Sequence, residues 1–437
     1  MAADEPAAAV HETGQESARA APAPALRVGV LVDLPLTPGA GGHVKCWQRL
    51  AEAAVDHPDR LDLTVHFQGG EPGEITLSPS VRYRLLPPVL SSARFVPDMP
   101  DHTDLARRHP MLARALTGYN VIHTTDAFFC YARTAMRFAR RHGVPVVSSI
   151  HTNTPEYARI ATGRLIDRTL GTGVAGHVAK DVLRMPHWVR FVLERRLARH
   201  LASVTSAMGS YAAPAGLAQG YRHCGIALRR GLDRERFSPC RRDRPWFEQR
   251  CSLPAGQLIA LYAGKLDAHN NVPLLAPAIA AARRAGAPVH LVCAGDGGEG
   301  PALAAALGQS LTCLGSLPQD ELARAYASAD LFLFPSMIDE SGNAAVEALA
   351  AGLPALLAAG SGVATRMADC AGLRVLPGDD PAAWAAAIVE LAAQPERRAA
   401  LGRAARAYVE ARVPTWREVL EQDLLPVWQH AAGRRQC

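Results

Sequence analysis

The residues best placed to do chemistry lie in the run Phe334-Pro335-Ser336-Met337-Ile338-Asp339-Glu340-Ser341-Gly342-Asn343-Ala344-Ala345-Val346-Glu347-Ala348-Leu349. An apolar strand is expected to end at Phe334. A helix should begin near Gly342 or Asn343 and stop by Gly352, ahead of Pro354. Asp339 then falls in a loop facing the helix start, and Glu347 a little over one turn inside it. Both carboxylates can border one ligand lying at the helix amino end. The amides of Gly342, Asn343 and Ala344, aided by the helix dipole, suit the oxygens of a diphosphate. Carboxylates suit hydroxyl groups, from which they accept strong charge-assisted hydrogen bonds. The same spacing also describes a plain cap made by Asp339, Glu340 and Ser341, and spacing alone leaves both open.

Two glycine turns offer similar chemistry. Gly39, Gly41 and Gly42 stand between a first strand and a first helix, where a backbone without Cβ atoms lets an anion approach free N–H groups. Gly295-Asp296-Gly297-Gly298-Glu299-Gly300 follows a later strand. A tight connection without a ligand explains each equally well. Neither is the G-x-G-x-x-G dinucleotide fingerprint, which disfavours a nicotinamide cofactor. No H-E-x-x-H or clustered Cys/His spacing suggests a metal, so no resident cofactor is expected.

The elements that would position these residues follow from the apolar pattern. Leu26 to Val32 is a near-continuous apolar run of the kind buried on both faces of a sheet. A helix is expected over Val44 to Val55, strands at Leu63 to Phe67, Val81 to Leu86, Val121 to His123 and Val144 to Ile150, and a helix over Ala132 to His142. Past Ser206 the rhythm weakens. It restarts with a strand at Leu258 to Ala263, followed by strands at Val289 to Ala294, Leu311 to Leu314, Leu331 to Phe334 and Ala355 to Ala358, with helices between them. Alternation of this kind builds parallel, doubly wound sheets.

The 437 residues, 49% of them hydrophobic and 20% charged, exceed one ordinary core and suit two domains. The net charge of +6 and pI near 8.9 fit an anionic ligand or surface without establishing one. Residues 1–25 read as a flexible, Pro-rich tail with no cationic start or signal-length apolar run, so a cytoplasmic location is expected. No stretch of membrane-spanning length is apolar enough to cross a bilayer. The nine Cys lack C-x-x-C spacing and are expected to be reduced thiols.

Taken in order, these pieces resemble the retaining glycosyltransferases of the GT-B fold, family 4. Asp339 through Glu347 looks like the family's D-x-F-G-N-x-x-x-E motif, with Ser341 in place of the aromatic. Gly41-Gly42 resembles the amino-terminal Gly-Gly loop, and Ser149-Ile150-His151-Thr152 the strand end that carries an active-site His. Gly231 to Pro239 resembles G-x-D-x-x-x-F-x-P, and Tyr262-Ala263-Gly264-Lys265-Leu266 stands at the G-R-L turn. Gly295-Asp296-Gly297, Leu314-Gly315-Ser316-Leu317, Ala329-Asp330 and Phe334-Pro335-Ser336 continue the series. The likeness runs from about residue 27 to 400. Where the family has Arg after the turn glycine and Lys five residues on, this chain has Lys265 and Asn270. A Lys is a point charge without the bidentate fork of Arg.

The resemblance implies two Rossmann-like domains facing a central cleft: residues 26–240 on the acceptor side, a linker at 241–256, and a donor-binding domain at 257–410. Residues 411–437 would form a helix crossing back to the first domain. It also implies metal-independent transfer of a sugar from a nucleoside diphosphate donor, UDP- or GDP-linked, to a glycan, lipid or small-molecule acceptor. Lys265 would stabilise the leaving diphosphate, with Asn270 beside it, while Gly41 and Gly42 would touch phosphates or acceptor. Asp339 would meet sugar hydroxyls, Glu347 the ribose, and His151 the transferred sugar. His151 as a polar strand end, and His123 as a structural residue, are the alternatives from the residues themselves. Asp339 and Glu347 are read as hydrogen-bonding groups, not as the acid and nucleophile of a glycosidase. The changed pair Lys265/Asn270 keeps open a weakly catalytic binder of nucleotide sugar or glycan, and the architecture keeps open an epimerase. Residues 176–203 mix Lys180, Arg184, Arg190, Arg195, Arg196 and Arg199 with Met185, Trp188, Phe191 and Leu197. A packed helix or one lying on an anionic membrane surface would both read this way. No nucleic-acid-binding module accompanies the basic charge.

Overall fold

The computed structural model describes residues 25–37, 40–94, 102–151, 154–171, 173–209, 226–337 and 342–433. The tail expected at 1–25 lies outside them except for Ala25, as do Gly39 and Asp339. The described chain forms two sheets. The first contains β1 (Leu26–Pro35), β2 (Leu61–Gln68), β3 (Gly73–Ser78), β4 (Val81–Leu86), β5 (Val121–Thr124), β6 (Val146–Ile150), β7 (Ser206–Gly209) and β8 (Ile226–Ala227). Its order is β3-β4-β2-β1-β5-β6-β7-β8, parallel throughout except for the antiparallel β3–β4 pair at one edge. The second contains β9 (Leu258–Ala263), β10 (Val289–Ala294), β11 (Leu311–Gly315), β12 (Leu331–Phe334), β13 (Ala355–Ala358) and β14 (Leu373–Leu376). Its order is β11-β10-β9-β12-β13-β14, with the observed pairs all parallel. This is the two-domain doubly wound arrangement the alternating pattern predicts.

Both sheets are buried on two faces, which explains the unbroken apolar runs. Leu258, Ile259, Ala260, Leu261, Tyr262 and Ala263 of β9 are all buried. Odd and even members belong to the two separate cores that sandwich the sheet. In the first domain, Val28 and Val30 pack on the Gly42–Ala54 helix through Val44, Trp47 and Leu50.

The structure differs from the sequence reading at the linker and at strands β3, β7, β8 and β14, which the apolar pattern did not place. The stretch 241–256, read as a linker, holds a helix at Arg244–Arg250 whose Phe247 is fully buried in the second domain's core. Asp243 caps it, accepting from the Trp246 amide at 3.1 Å, and Arg244 pairs with Asp330 at 2.7 Å. That stretch is therefore part of the second domain rather than a spacer. Among these strands, β3 is an exposed edge whose alternating Ile75 and Leu77 remain 44% and 36% exposed, so its apolar face meets no core.

The chain passes between the domains twice, and the two passages lie side by side. Leu232 donates its amide to Pro414 O at 2.9 Å, and the Arg234 guanidinium reaches Val413 O. Arg229 grips Asp423 through Nη2 at 2.7 Å and through its backbone amide at 3.0 Å. Beyond this point Val419, Leu420, Leu424, Leu425, Val427, Trp428 and Ala431 enter the same core as Val28 and Val30.

Candidate functional site

Each sheet has a point where its strand order reverses, and loops leave the strands' carboxyl ends there in opposite directions. Such a point is where an open α/β sheet leaves a crevice for ligands. In the first sheet it lies between β1 and β5, and in the second between β9 and β12. The glycine turn at Gly41 and Gly42 follows β1. The turn Gly264-Lys265-Leu266 follows β9, and the helix Asn343–Ala350 follows β12.

The two crevices face each other. A Cβ placed on Gly42 would stand 3.1 Å from Nδ2 of Asn343, so the glycine loop of one domain meets the helix start of the other. Gly42 permits that approach by having no side chain. Arg49 Nη2 also reaches Gln319 Oε1 across the gap at 3.5 Å. Gly342 adopts the left-handed conformation at φ 58°, and a Cβ there would sit 2.3 Å from Val363 Cβ. Only glycine fits this entry to the helix. The first intrahelical bond, from Val346 N to Gly342 O, leaves the amides of Asn343 and Ala344 without acceptors inside the helix.

Glu347, inside that helix, accepts from Tyr326 Oη at 3.4 Å. Burial pushes its carboxyl up to about 7, against the opposing pull of Lys45, Tyr326, Arg49 and Arg236. Lys45 and Arg49 belong to the first domain, so the carboxylate of one domain feels cations of the other. Lys45, Arg49 and Arg230 were not singled out in the sequence. None sits in a local motif, and only the helix phase after Gly42 could have suggested Lys45. Arg230 Nη1 donates to Gly42 O at 3.3 Å, which holds the glycine loop.

Lys265 is exposed and has no ion pair among the described residues. Its carbonyl accepts from Tyr262 Oη at 2.8 Å and from Asn270 Nδ2 at 3.1 Å. Asn270 Nδ2 also meets Asp267 Oδ1 at 3.0 Å, so this nitrogen is engaged in shaping the loop rather than directed at a ligand. The turn rests backbone on backbone against the next one: a Cβ on Gly297 would meet Leu266 O at 2.1 Å. Asp296 secures that second turn by accepting from Ser316 N at 2.9 Å and Ser316 Oγ at 2.8 Å. Asn271 ties the β9 loop to its neighbours, donating to Pro335 O at 3.2 Å and Gly378 O at 2.7 Å.

His151 directly follows β6, with its ring stacked on His43 at 4.3 Å between centroids and 16° between planes. His43 follows Gly42 directly, which places His151 beside the glycine loop. Burial lowers the His43 imidazole to about 3 and the His151 imidazole well below its usual range, with Arg230 adding to both effects. The pair is therefore neutral at pH 7. His43 Nε2 and His151 Nδ1 are buried without hydrogen-bond partners among the described residues. Gly41, Gly42, His151, Asn343 and Glu347 thus come together, with Gly342 and Ala344 at the same helix start. Lys265 and Asn270 stand at the adjoining strand end. Asp339, outside the described residues, is not positioned. No group of three or more His, Cys, Asp or Glu able to hold a metal occurs among the described residues.

Segment 176–203 turns a partly apolar face outward. Val182, Leu183, Trp188 and Phe191 are exposed, Trp188 to 66%. The helix Met185–Leu201 buries only Pro186, Leu197, His200 and Leu201. No helix of the described residues is long and apolar enough to cross a membrane.

Residues 257–394 match the family described as glycosyl transferases group 1. A GDP-mannose-dependent alpha-mannosyltransferase of Mycolicibacterium smegmatis is 31% identical over 330 residues, covering 75% of this chain and 78% of that protein. A D-inositol 3-phosphate glycosyltransferase of Salinispora tropica is 33% identical over 221 residues, 46% of this chain and 45% of that protein. The match thus spans under half the length of this second relative. Among solved structures, a sucrose-phosphate synthase from Thermosynechococcus elongatus superposes with a TM-score of 0.66 at 18% identity. It covers 93% of this chain and 100% of its own. Anabaena HepE in complex with UDP and glucose gives 0.61 at 15% identity, covering 91% and 98%. The two facing doubly wound domains are the GT-B fold. The chain belongs to the glycosyl transferases of group 1.

Proposed function

We propose that the chain moves a sugar from a UDP- or GDP-linked donor to a hydroxyl acceptor, with retention at the anomeric carbon and without a metal. One observation carries the reading: the glycine loop of one switch point stands against the helix start of the other, with Lys45, Arg49 and Arg230 about it and Lys265 on the turn after the neighbouring strand β9. A diphosphate between them meets helix amides and cations from both domains, while Glu347 accepts the ribose hydroxyls. His151 stands beside the transferred sugar, and Asp339 meets its hydroxyls. Negative charge grows on the leaving phosphate in the transition state. Fixed donors such as Lys265 lower that barrier, and the departing oxygen helps take the acceptor proton on the same face of the sugar. The names of the two relatives support a nucleotide-linked donor and a small polar acceptor. Nucleotide release from UDP-, GDP- and ADP-sugars by purified protein tests the proposal. Tight binding of a nucleotide sugar with no release, across a panel of acceptors, would overturn it. That outcome would favour the binder reading, which the engaged side-chain nitrogen of Asn270 supports.

We also propose that the 176–203 face rests on an anionic lipid surface. Arg184, Arg195 and Arg199 have no acidic partner among the described residues and flank the exposed Trp188 and Phe191. Apolar insertion and anionic attraction then act together. Flotation with anionic liposomes at low salt, lost with neutral liposomes, is the expected result. Failure to float with either removes the membrane as a partner.

A further inference from the structure

Four side chains form a hydrogen-bonded row behind the site. Trp428, on the helix Leu425–Gly433 that returns to the first domain, donates from Nε1 to His123 Nδ1 at 2.9 Å. His123 Nε2 lies 2.8 Å from Ser149 Oγ, and Ser149 Oγ lies 2.8 Å from His151 Nε2. Trp428, His123 and Ser149 are wholly buried. Trp47 packs edge-on against both His123, at 4.9 Å, and His151, at 5.9 Å.

The direction of every proton in the row follows from its first member. An indole nitrogen can only donate, so His123 Nδ1 accepts and carries no proton. Burial keeps His123 neutral, its imidazole lowered to about 3. Its proton therefore sits on Nε2 and is donated to Ser149 Oγ. Ser149 Oγ has no other partner among the described residues, so its own proton goes to His151 Nε2. The opposite arrangement would strand a buried hydroxyl proton without an acceptor, which folded proteins avoid. His151, neutral beside His43, Arg230 and His123, is left with its proton on Nδ1. That nitrogen has no partner among the described residues.

We infer that Trp428, His123 and Ser149 are positioning residues that hold His151 in one tautomer, as an Nδ1–H donor awaiting an oxygen of the bound ligand. The identity of that oxygen, a hydroxyl of the transferred sugar, rests on the proposed function; the tautomer does not. The last helix therefore does more than fill the first domain's core, because it sets the hydrogen-bonding polarity of a residue in the cleft.

Long-range proton–nitrogen NMR correlation of the full chain, with labelled histidine rings, reads the tautomers without any donor sugar. His123 is expected as Nε2–H and His151 as Nδ1–H. Trp428→Phe removes the only donor to His123 Nδ1 among the described residues, and Ser149→Ala breaks the row at its middle. Each should shift His151 toward a mixture of tautomers and lower kcat/KM for the donor by about two- to tenfold, the range for one neutral hydrogen bond. Val427→Ala, in the same helix and core but outside the row, should leave the His151 signal unchanged. An Nε2–H signal for His151 in the wild type, or an unaltered His151 in both row variants, overturns the inference. A shifted tautomer with unchanged kcat/KM overturns the role toward the sugar. If no donor releases nucleotide, the proposed function fails, and the NMR measurement still decides the row.

Discussion

Glu347→Gln separates the stability of the empty site from its use. In the unfolded chain the Glu347 carboxyl titrates near 4.5, and in the folded protein at about 7. Below the lower value both states are neutral and the residue's contribution to stability is fully present. As pH rises through the window, the unfolded chain ionises freely while the folded protein holds its proton, so stability is lost. The loss is complete above the higher value. At about 1.4 kcal/mol per tenfold difference in proton affinity, that gap amounts to about 3 kcal/mol. The figure already contains the help of Lys45, Arg49 and Arg236, whose charges lower the pKa. Gln keeps the shape and can still accept from Tyr326, but never ionises. Urea unfolding of both proteins should give nearly equal stabilities at about pH 4. The variant should be more stable by up to about 3 kcal/mol at about pH 8. Nucleotide binding should move the other way. Losing a charged acceptor for ribose hydroxyls should weaken it by about ten- to a hundredfold, seen as a smaller rise in Tm at fixed nucleotide. A stability difference independent of pH would refute the burial argument. Undiminished nucleotide affinity would remove Glu347 from the binding site.

Lys265→Ala should lower turnover by about a hundredfold with the unfolding midpoint unchanged, because the side chain is exposed and its removal breaks no ion pair among the described residues. Wild-type rates from the folded variant would remove it from the site. Gly342→Ala forces a left-handed backbone on a residue with a Cβ and drives that atom into Val363. A destabilisation of about 1–2 kcal/mol or more, with loss of nucleotide binding, should follow in denaturant unfolding and thermal-shift assays. His66 and His123 are buried and lowered to about 3, so each contributes stability that is present above about pH 6.5 and lost on acidification. His66→Gln should flatten the acid limb of stability against pH by about 1.4 kcal/mol per pH unit between about pH 6 and 4.

Much of this architecture is legible in the sequence because parallel strands buried on both faces leave unbroken apolar runs. Val289 to Ala294 and Leu331 to Phe334 were placed as the structure has them. The helix Arg244–Arg250 escaped because it is two turns long and buries only Phe247. Its signal was present as Asp243 followed by Pro245, a capping residue ahead of an early helical proline. At the site, Gly42, Asn343 and Glu347 could be found through local spacing. Lys45 and Arg230 could not, since what gathers them is the approach of two domains. The row from Trp428 to His123 joins residues 305 apart in the chain, so neither position carries a local sign of the other.

The placement of Leu424, Leu425 and Trp428 bears on how the protein is made. Strands near the amino terminus are completed by Leu424, Leu425 and Trp428, which leave the ribosome only after the whole second domain. Domains generally fold as they emerge, amino-terminal first. Here residues 241–412 can close their own core while the earlier domain still shows an open apolar seam over Val28, Val30 and Trp47. The half translated first is therefore finished second, and a chain cut short before Val419 would carry one sound half and one exposed.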